Sequence, residues 1–239
     1  MIEMLASFLS TALLLLSVLI VPSASIARGK HRGASVPASI EFIRLAFLLA
    51  LLVGYLELNG LSLESVGLGR ESSLTFAVSV ALSIAAIVLF ECVALVALMA
   101  NPRANGKATE ALAPQVPQDR FEAVRFIAYL GLAVMWEELL FRGVANHIGM
   151  SLGVPPMITI AVSSIIFGMQ HIRRGWGQVI YSGCFGAFFF GLYLMWDSLY
   201  PVIAAHIAGN LVVVFYSYPR MVECRHRDQQ ARGSSALPY

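Results

Sequence analysis

Charge is what this chain has least of. Of its 239 residues only 13% are Asp, Glu, Lys or Arg, whereas 58% are apolar, and the mean hydropathy is +0.76. An ordinary soluble domain carries about 25% charged residues. The shortage of polar surface excludes a soluble enzyme, and the excess of apolar residues excludes a disordered chain. The net charge of +2 is too small for a nucleic-acid-binding protein. Cysteine is scarce as well. Cys92, Cys184 and Cys224 form an odd set without paired spacing, so neither a disulfide framework nor a thiolate zinc site is supported. No internal repeat is present. What remains is an all-α fold, a polytopic membrane helix bundle.

About 20 apolar residues are needed to cross the hydrocarbon core. Seven runs meet or approach that length: Ile2–Val21, Ser39–Leu58, Leu74–Ala100, Phe121–Ile148, Pro155–His171, Gln178–Met195 and Leu199–Tyr218. The ten prolines fall between these runs or at their ends, as a residue that disrupts helix interiors should. The first run starts with Glu3 and is followed by Arg28, Lys30 and Arg32. A cleaved signal peptide has the reverse order, so the run is expected to be an anchor helix with its N-terminus outside. Loops on one side hold twelve basic residues, and those on the other hold only Arg70. By the positive-inside rule the arginine-rich side, and the C-terminus with it, is cytoplasmic. The expected organisation is three N-terminal membrane helices with a cytoplasmic linker (1–120), a four-helix functional core (121–218) and a flexible basic tail (219–239). The linker, Asn101–Arg120, is read as a polar loop. Gly183, Ala187 and Gly191 place small residues on one face of the sixth run, the mark of close helix packing.

An ionisable side chain in a spanning helix is costly unless it is paired or wet. Three runs nevertheless carry such groups. The fourth has Glu137, Glu138 and Arg142, the fifth ends with Phe167 and His171, and the seventh has His206 and Asn210. Glu138 and Arg142 are four residues apart and can pair along one helix face. Glu137 is turned about 100° from Glu138 and can point elsewhere. His206 and Asn210 share a face by the same spacing, and Phe167 sits one turn before His171.

This set suits hydrolysis of an acyl bond by water. Glu137 is read as the general base, with His171 orienting the water. His206 and Asn210 are read as donors to the oxyanion, and Glu138 with Arg142 as a supporting pair that cancels one charge. Each residue also has a plainer reading. Buried Glu–Arg pairs are often structural, and a lone membrane histidine often only joins two helices. Glu91, in the third run, is read as a structural acid with an unidentified partner, and His147 as interfacial. Depth is unresolved. At 1.5 Å per residue His171 lies about 24 Å from the outer end of its run, and His206 about 10 Å from the outer end of its own.

Taken in order, Glu137-Glu138 with Arg142, Phe167 with His171, and His206 with Asn210 resemble the motifs of the CPBP family. This family comprises CAAX prenyl proteases and bacteriocin-processing enzymes, formerly the abortive-infection family. Its pattern is Glu-Glu-x-x-x-Arg, Phe-x-x-x-His and His-x-x-x-Asn on successive membrane helices, and all three match here without substitution. Gly143 and Ser65-Val66-Gly67-Leu68 also resemble the family. The resemblance covers residues 121–215 well and the first 120 only loosely. It implies an intramembrane endopeptidase in which Glu137 and His171 activate water while His206 and Asn210 hold the oxyanion. It also implies a membrane-associated peptide or protein substrate within a bilayer, here expected to be a bacterial plasma membrane. A cofactor-free glutamate mechanism ranks ahead of a zinc one, for which Glu137, His171 and His206 would be the donors. The alternative is a non-catalytic immunity or peptide-binding scaffold of the same fold. Patterns of other intramembrane proteases are missing: there is no His-Glu-x-x-His and no Gly-x-Gly-Asp, and the Gly-x-Ser at Gly33–Ser35 lies in a polar loop.

Overall fold

The computed structural model describes residues 38–69 and 72–234. The first run, Arg28, Lys30, Arg32 and Arg70 lie outside the described residues. The described chain is all helical in its regular structure. Helix α1 is Ala38–Leu58, α2 is Ser73–Met99, α3 is Pro102–Leu112 and α4 is Arg120–Glu138. A π-helical segment, Leu139–Val144, joins α4 to α5, Ala145–Ser151. Then come α6 (Pro156–Met169), α7 (Trp176–Trp196) and α8 (Tyr200–Val212). A second π segment, Val213–Ser217, carries α8 into α9 (Tyr218–Ser234). Three helices, Ser73–Met99, Trp176–Trp196 and Tyr200–Arg227, are long and apolar enough to cross a membrane.

Local chemistry sets the helix starts. Ser72 caps α2 through Thr75 N–H, and Asn101 caps α3 with Pro102 behind it. Asp119 Oδ1 accepts from Glu122 N–H at 2.7 Å, while Glu122 Oε2 reaches back to Gln118 N–H at 2.8 Å. This reciprocal pair fixes the start of α4. Pro155 and Pro156 open α6. Helix α7 stops at Asp197, whose φ of 50° is the left-handed turn that ends a helix.

Burial departs from that of a soluble protein at both surface and core. Leu74, Leu89, Val96, Ile165 and Met195 are exposed, while Ser79, Ser83, Glu91, Glu138, Arg142 and His206 are buried. A lipid-facing exterior around an apolar interior that shelters polar groups accounts for both, so the chain is an integral membrane protein.

The α6–α7 packing differs from the small-residue stripe expected on the sixth run. Ala187 and Gly191 are exposed, and a Cβ at Gly191 would meet nothing. The close approach is made by Gly168 against the Val179 carbonyl and by Gly186 against Ser164, with Gly183 beside them. Any side chain at Gly168 would collide with backbone. Phe189 and Phe190 fill the interior.

Two stretches expected to be irregular are helical. In the linker, Asn101 and Pro102 supply a cap and a first-turn proline, and α3 packs on α9. There Asn105 Nδ2 donates to the Met221 carbonyl at 3.2 Å and Arg225 meets Glu110 at 3.0 Å. The tail is helical to Ser234 because α9 continues α8. Pro219 therefore sits within one continuous rod rather than at its end. The π segment just before it supplies the room and the looser hydrogen bonding that a proline ring requires.

The depth disagreement is resolved by the α5–α6 corner. From Glu137 the rod runs on to Ser151, about 21 Å farther along its axis at 1.5 Å per residue. Helix α6 spends its length returning to His171. The α7–α8 corner is much lower. Leu199 packs at Gly143, and its N–H donates to the Gly67 carbonyl at 2.8 Å. Gly143 is about 9 Å beyond Glu137, and Leu199 is about 10 Å beyond His206, so the two rods bring Glu137 and His206 to one level. A Cβ at Gly143 would come within 2.6 Å of the Val66 carbonyl, which explains a glycine there. His147 lies far above this level, lining a cleft of about 400 Å³ with Tyr55, Asn59 and Ser151.

Candidate active site

Glu137 and Glu138 occupy the last turn of α4, immediately before the π segment. They leave the rod in different directions, as their 100° separation requires. Glu138 is fully buried, whereas the Glu137 side chain keeps 21% exposure. Arg142, one turn on, donates from Nη1 to Glu138 Oε1 at 3.0 Å and from Nη2 to the Gly186 carbonyl of α7 at 3.2 Å. Its guanidinium also lies 4.6 Å from the centre of the Phe167 ring and 5.6 Å from that of Phe189. A buried cation held by one carboxylate, one carbonyl and two aromatic faces ties α4, α6 and α7 together.

His206 enters from α8. Its Nδ1 lies 2.5 Å from Glu138 Oε1, and its Nε2 lies 3.8 Å from Glu137 Oε2. A carboxylate already accepting from Arg142 can only accept again, so Nδ1 carries the proton and donates. That leaves Nε2 as the nitrogen facing Glu137. The ring is stacked on Phe189 at 4.7 Å and 27°, which fixes its plane. His171 follows the end of α6, and its Nδ1 donates to the Phe167 carbonyl at 3.1 Å. A carbonyl cannot donate, so in the neutral ring Nε2 is the lone-pair nitrogen. Asn210 Nδ2 donates to the His206 carbonyl at 3.1 Å, one turn back on its own helix, and keeps a second N–H.

Phe167 is the hub. It is buried, 5.4 Å from the His171 ring, 6.2 Å from the His206 ring and 5.3 Å from Phe141. His171, His206 and Arg142 thus meet at one phenylalanine, Glu137 and Glu138 of α4 stand against His206, and Asn210 is placed by its bond to the His206 carbonyl. Among the described residues no three His, Cys, Asp or Glu side chains are grouped closely enough to hold a metal ion. Glu138 Oε2 and Arg142 Nε are buried without a hydrogen-bond partner. Trp136 is buried against Phe141, with ring centres 6.3 Å apart.

Sequence reasoning missed several participants. It paired Glu138 with Arg142 alone and did not find His206 on the same oxygen. Phe189 and the Gly186 carbonyl carry no motif. Glu91 gains its partner here: Tyr181 O–H of α7 donates to Glu91 Oε1 at 2.7 Å, beside Gly209, where α2 packs on α8. Tyr181→Phe should lower stability by about 1–3 kcal/mol, because it leaves Glu91 buried without its donor. Adding Glu91→Leu should restore most of the loss. Thermal unfolding of the two single variants and the double variant in detergent measures the coupling, and additive losses would refute it.

Residues 119–212 match the family model described as Rce1-like, type II CAAX prenyl endopeptidase. Neither a curated protein nor a solved structure matches the chain. The matched segment starts at the cap of α4 and ends with α8, so it contains Glu137, Glu138, Arg142, Phe167, His171, His206 and Asn210.

Proposed function

We propose, from the premise that residues 119–212 belong to the CAAX protease family, that this integral membrane protein is an endopeptidase using Glu137 to activate water. The observation that carries the reading is the approach of Glu137 Oε2 to His206 Nε2, 3.8 Å apart on separate helices, with the His206 and His171 rings both against Phe167. Glu137, the more open of the two acids, takes a proton from water that His171 Nε2 helps to orient. The resulting hydroxide attacks the scissile carbonyl carbon, and the carbonyl π electrons move to oxygen. That oxyanion accepts from the second Asn210 N–H and from His206 Nε2 when it carries a proton. Glu138, bonded to Nδ1, is then the counter-charge of the imidazolium. Collapse of the intermediate expels the amine, which takes the proton held by Glu137.

The reading is cofactor-free. Zinc on Glu137, His171 and His206 ranks second. The substrate is a membrane-associated protein or peptide, cut within a bacterial plasma membrane by a protein whose arginine-rich side is cytoplasmic.

The test is release of a C-terminal tripeptide from a farnesylated C-a-a-X peptide by the full chain in vesicles, read by mass spectrometry with and without a chelator. Cleavage that resists chelation is expected. Asn210→Ala should lower kcat by about 10²–10³ while the unfolding midpoint barely moves. No tripeptide from the parent, or full turnover by the Asn210 variant, would count against the reading.

A further inference from the structure

Arg174 stands one tight turn beyond His171, its backbone N–H donating to the His171 carbonyl at 2.9 Å. Its side chain is exposed, yet it is held. Nη2 donates to Gln115 Oε1 at 2.9 Å, and Gln115 is itself anchored through Nε2 to the Ala111 carbonyl at 3.2 Å. The stretch between α3 and α4 therefore crosses to the His171 turn and holds the guanidinium on it. The guanidinium is thereby fixed on the turn that carries His171, one of the two groups assigned to the water. Gln170, between Phe167 and Arg174 on the same turn, is 8% exposed, and its amide nitrogen has no acceptor. A buried donor without a partner is uncommon and asks for an explanation. This turn thus brings a fixed cation and an unused donor to the edge of the acid–imidazole cluster.

We infer that Arg174 is a binding residue for the free C-terminal carboxylate of the peptide being cut. The inference rests on the proteolytic reading and adds to it how the enzyme measures its cleavage position. A C-a-a-X end cut after its cysteine leaves three residues before the terminal carboxylate. Three extended residues span about 10 Å, and a planar guanidinium matches a carboxylate with two parallel hydrogen bonds. With the scissile carbonyl at Glu137 and His206, the inferred path runs the chain end toward the His171 turn. A peptide with an amidated end, or one continuing past that point, forfeits the contact. If Arg174 served only to hold Gln115, the state of the peptide terminus would not matter.

Two fluorescent farnesylated peptides, identical except for a free carboxylate or an amide at the end, separate these possibilities. Binding is measured by anisotropy on the full chain carrying Glu137→Gln, so that turnover is not needed. The acid should bind about tenfold tighter than the amide, the yield of one charge-assisted contact. Adding Arg174→Gln should bring the ratio close to one, and Arg174→Lys should restore part of it. An unchanged ratio in Arg174→Gln, no preference for the acid before that substitution, or no binding of either peptide overturns the inference. Cleavage of the same peptides by the unsubstituted protein is scored separately. A terminus preference that depends on Arg174 in a protein that cuts neither peptide would sink proteolysis and leave the carboxylate site standing.

Discussion

The Glu137→Gln protein is expected to insert, fold and unfold like its parent, and to cleave about 10²–10⁴-fold more slowly, the range of a positioned general base. The substitution is nearly isosteric and removes the negative charge and, with it, the ability to accept a proton. The folding of the cluster does not depend on it. Glu138, not Glu137, takes the Arg142 and His206 hydrogen bonds, and Glu137 stands 3.8 Å from His206 with 21% of its side chain open. Turnover of the farnesylated peptide and an unfolding curve on one preparation make the comparison. Undiminished turnover in Glu137→Gln would remove the base from the mechanism.

The opposite pattern is expected at Arg142. Arg142→Met should destabilise the protein by about 3–5 kcal/mol, the usual cost of leaving one member of a buried ion pair behind. Nothing else near Glu138 replaces the lost cation except His206, and water has no access to a carboxylate that is fully buried. The variant also forfeits the hydrogen bond to the Gly186 carbonyl and the contacts with the Phe167 and Phe189 rings, so α7 is loosened together with the acid. Combining Arg142→Met with Glu138→Gln should recover a substantial part of the loss, because the stranded charge goes with it. Thermal unfolding in detergent reads both variants. A single substitution that leaves the midpoint in place would show that the pair contributes little to the fold.

Much of this arrangement is legible in the sequence, because the costs involved are local. A charged group in an apolar run is conspicuous wherever it sits, so Glu137, Glu138, Arg142, His171 and His206 stand out. A four-residue spacing settles that Glu138 and Arg142 share a face. The same spacing was a poorer guide at His206 and Asn210. It aligns the two side chains, but in the structure Asn210 bonds to the His206 backbone and the imidazole turns to Glu138. That choice depends on a neighbouring helix, which helical spacing does not encode. The bond from Tyr181 to Glu91 spans 90 positions and was invisible for the same reason. The conflicting depths of His171 and His206 arose from treating every corner as if it lay in one plane. Only the packing of Leu199 at Gly143, with α5 continuing beyond, shows that two neighbouring corners stand at different heights. The helix at 102–112 had its signals, an asparagine cap and a first-turn proline, but they were outweighed by a polar composition that reads as loop.

The widened turns at Leu139–Val144 and Val213–Ser217 have a consequence for how this protein can vary. Each breaks the rotational phase of its rod, since such a turn holds about one residue more than the α-turn it replaces. Below the first lie the acids; above it, His147 and Ser151 face a separate cleft. Below the second, toward the chain end, lies the arginine-bearing helix; above it sit His206 and Asn210. Each rod is therefore two independently indexed pieces sharing one axis. On each rod, residues of the piece that lacks the reactive groups can be exchanged, and its face reassigned, without swinging those groups out of alignment.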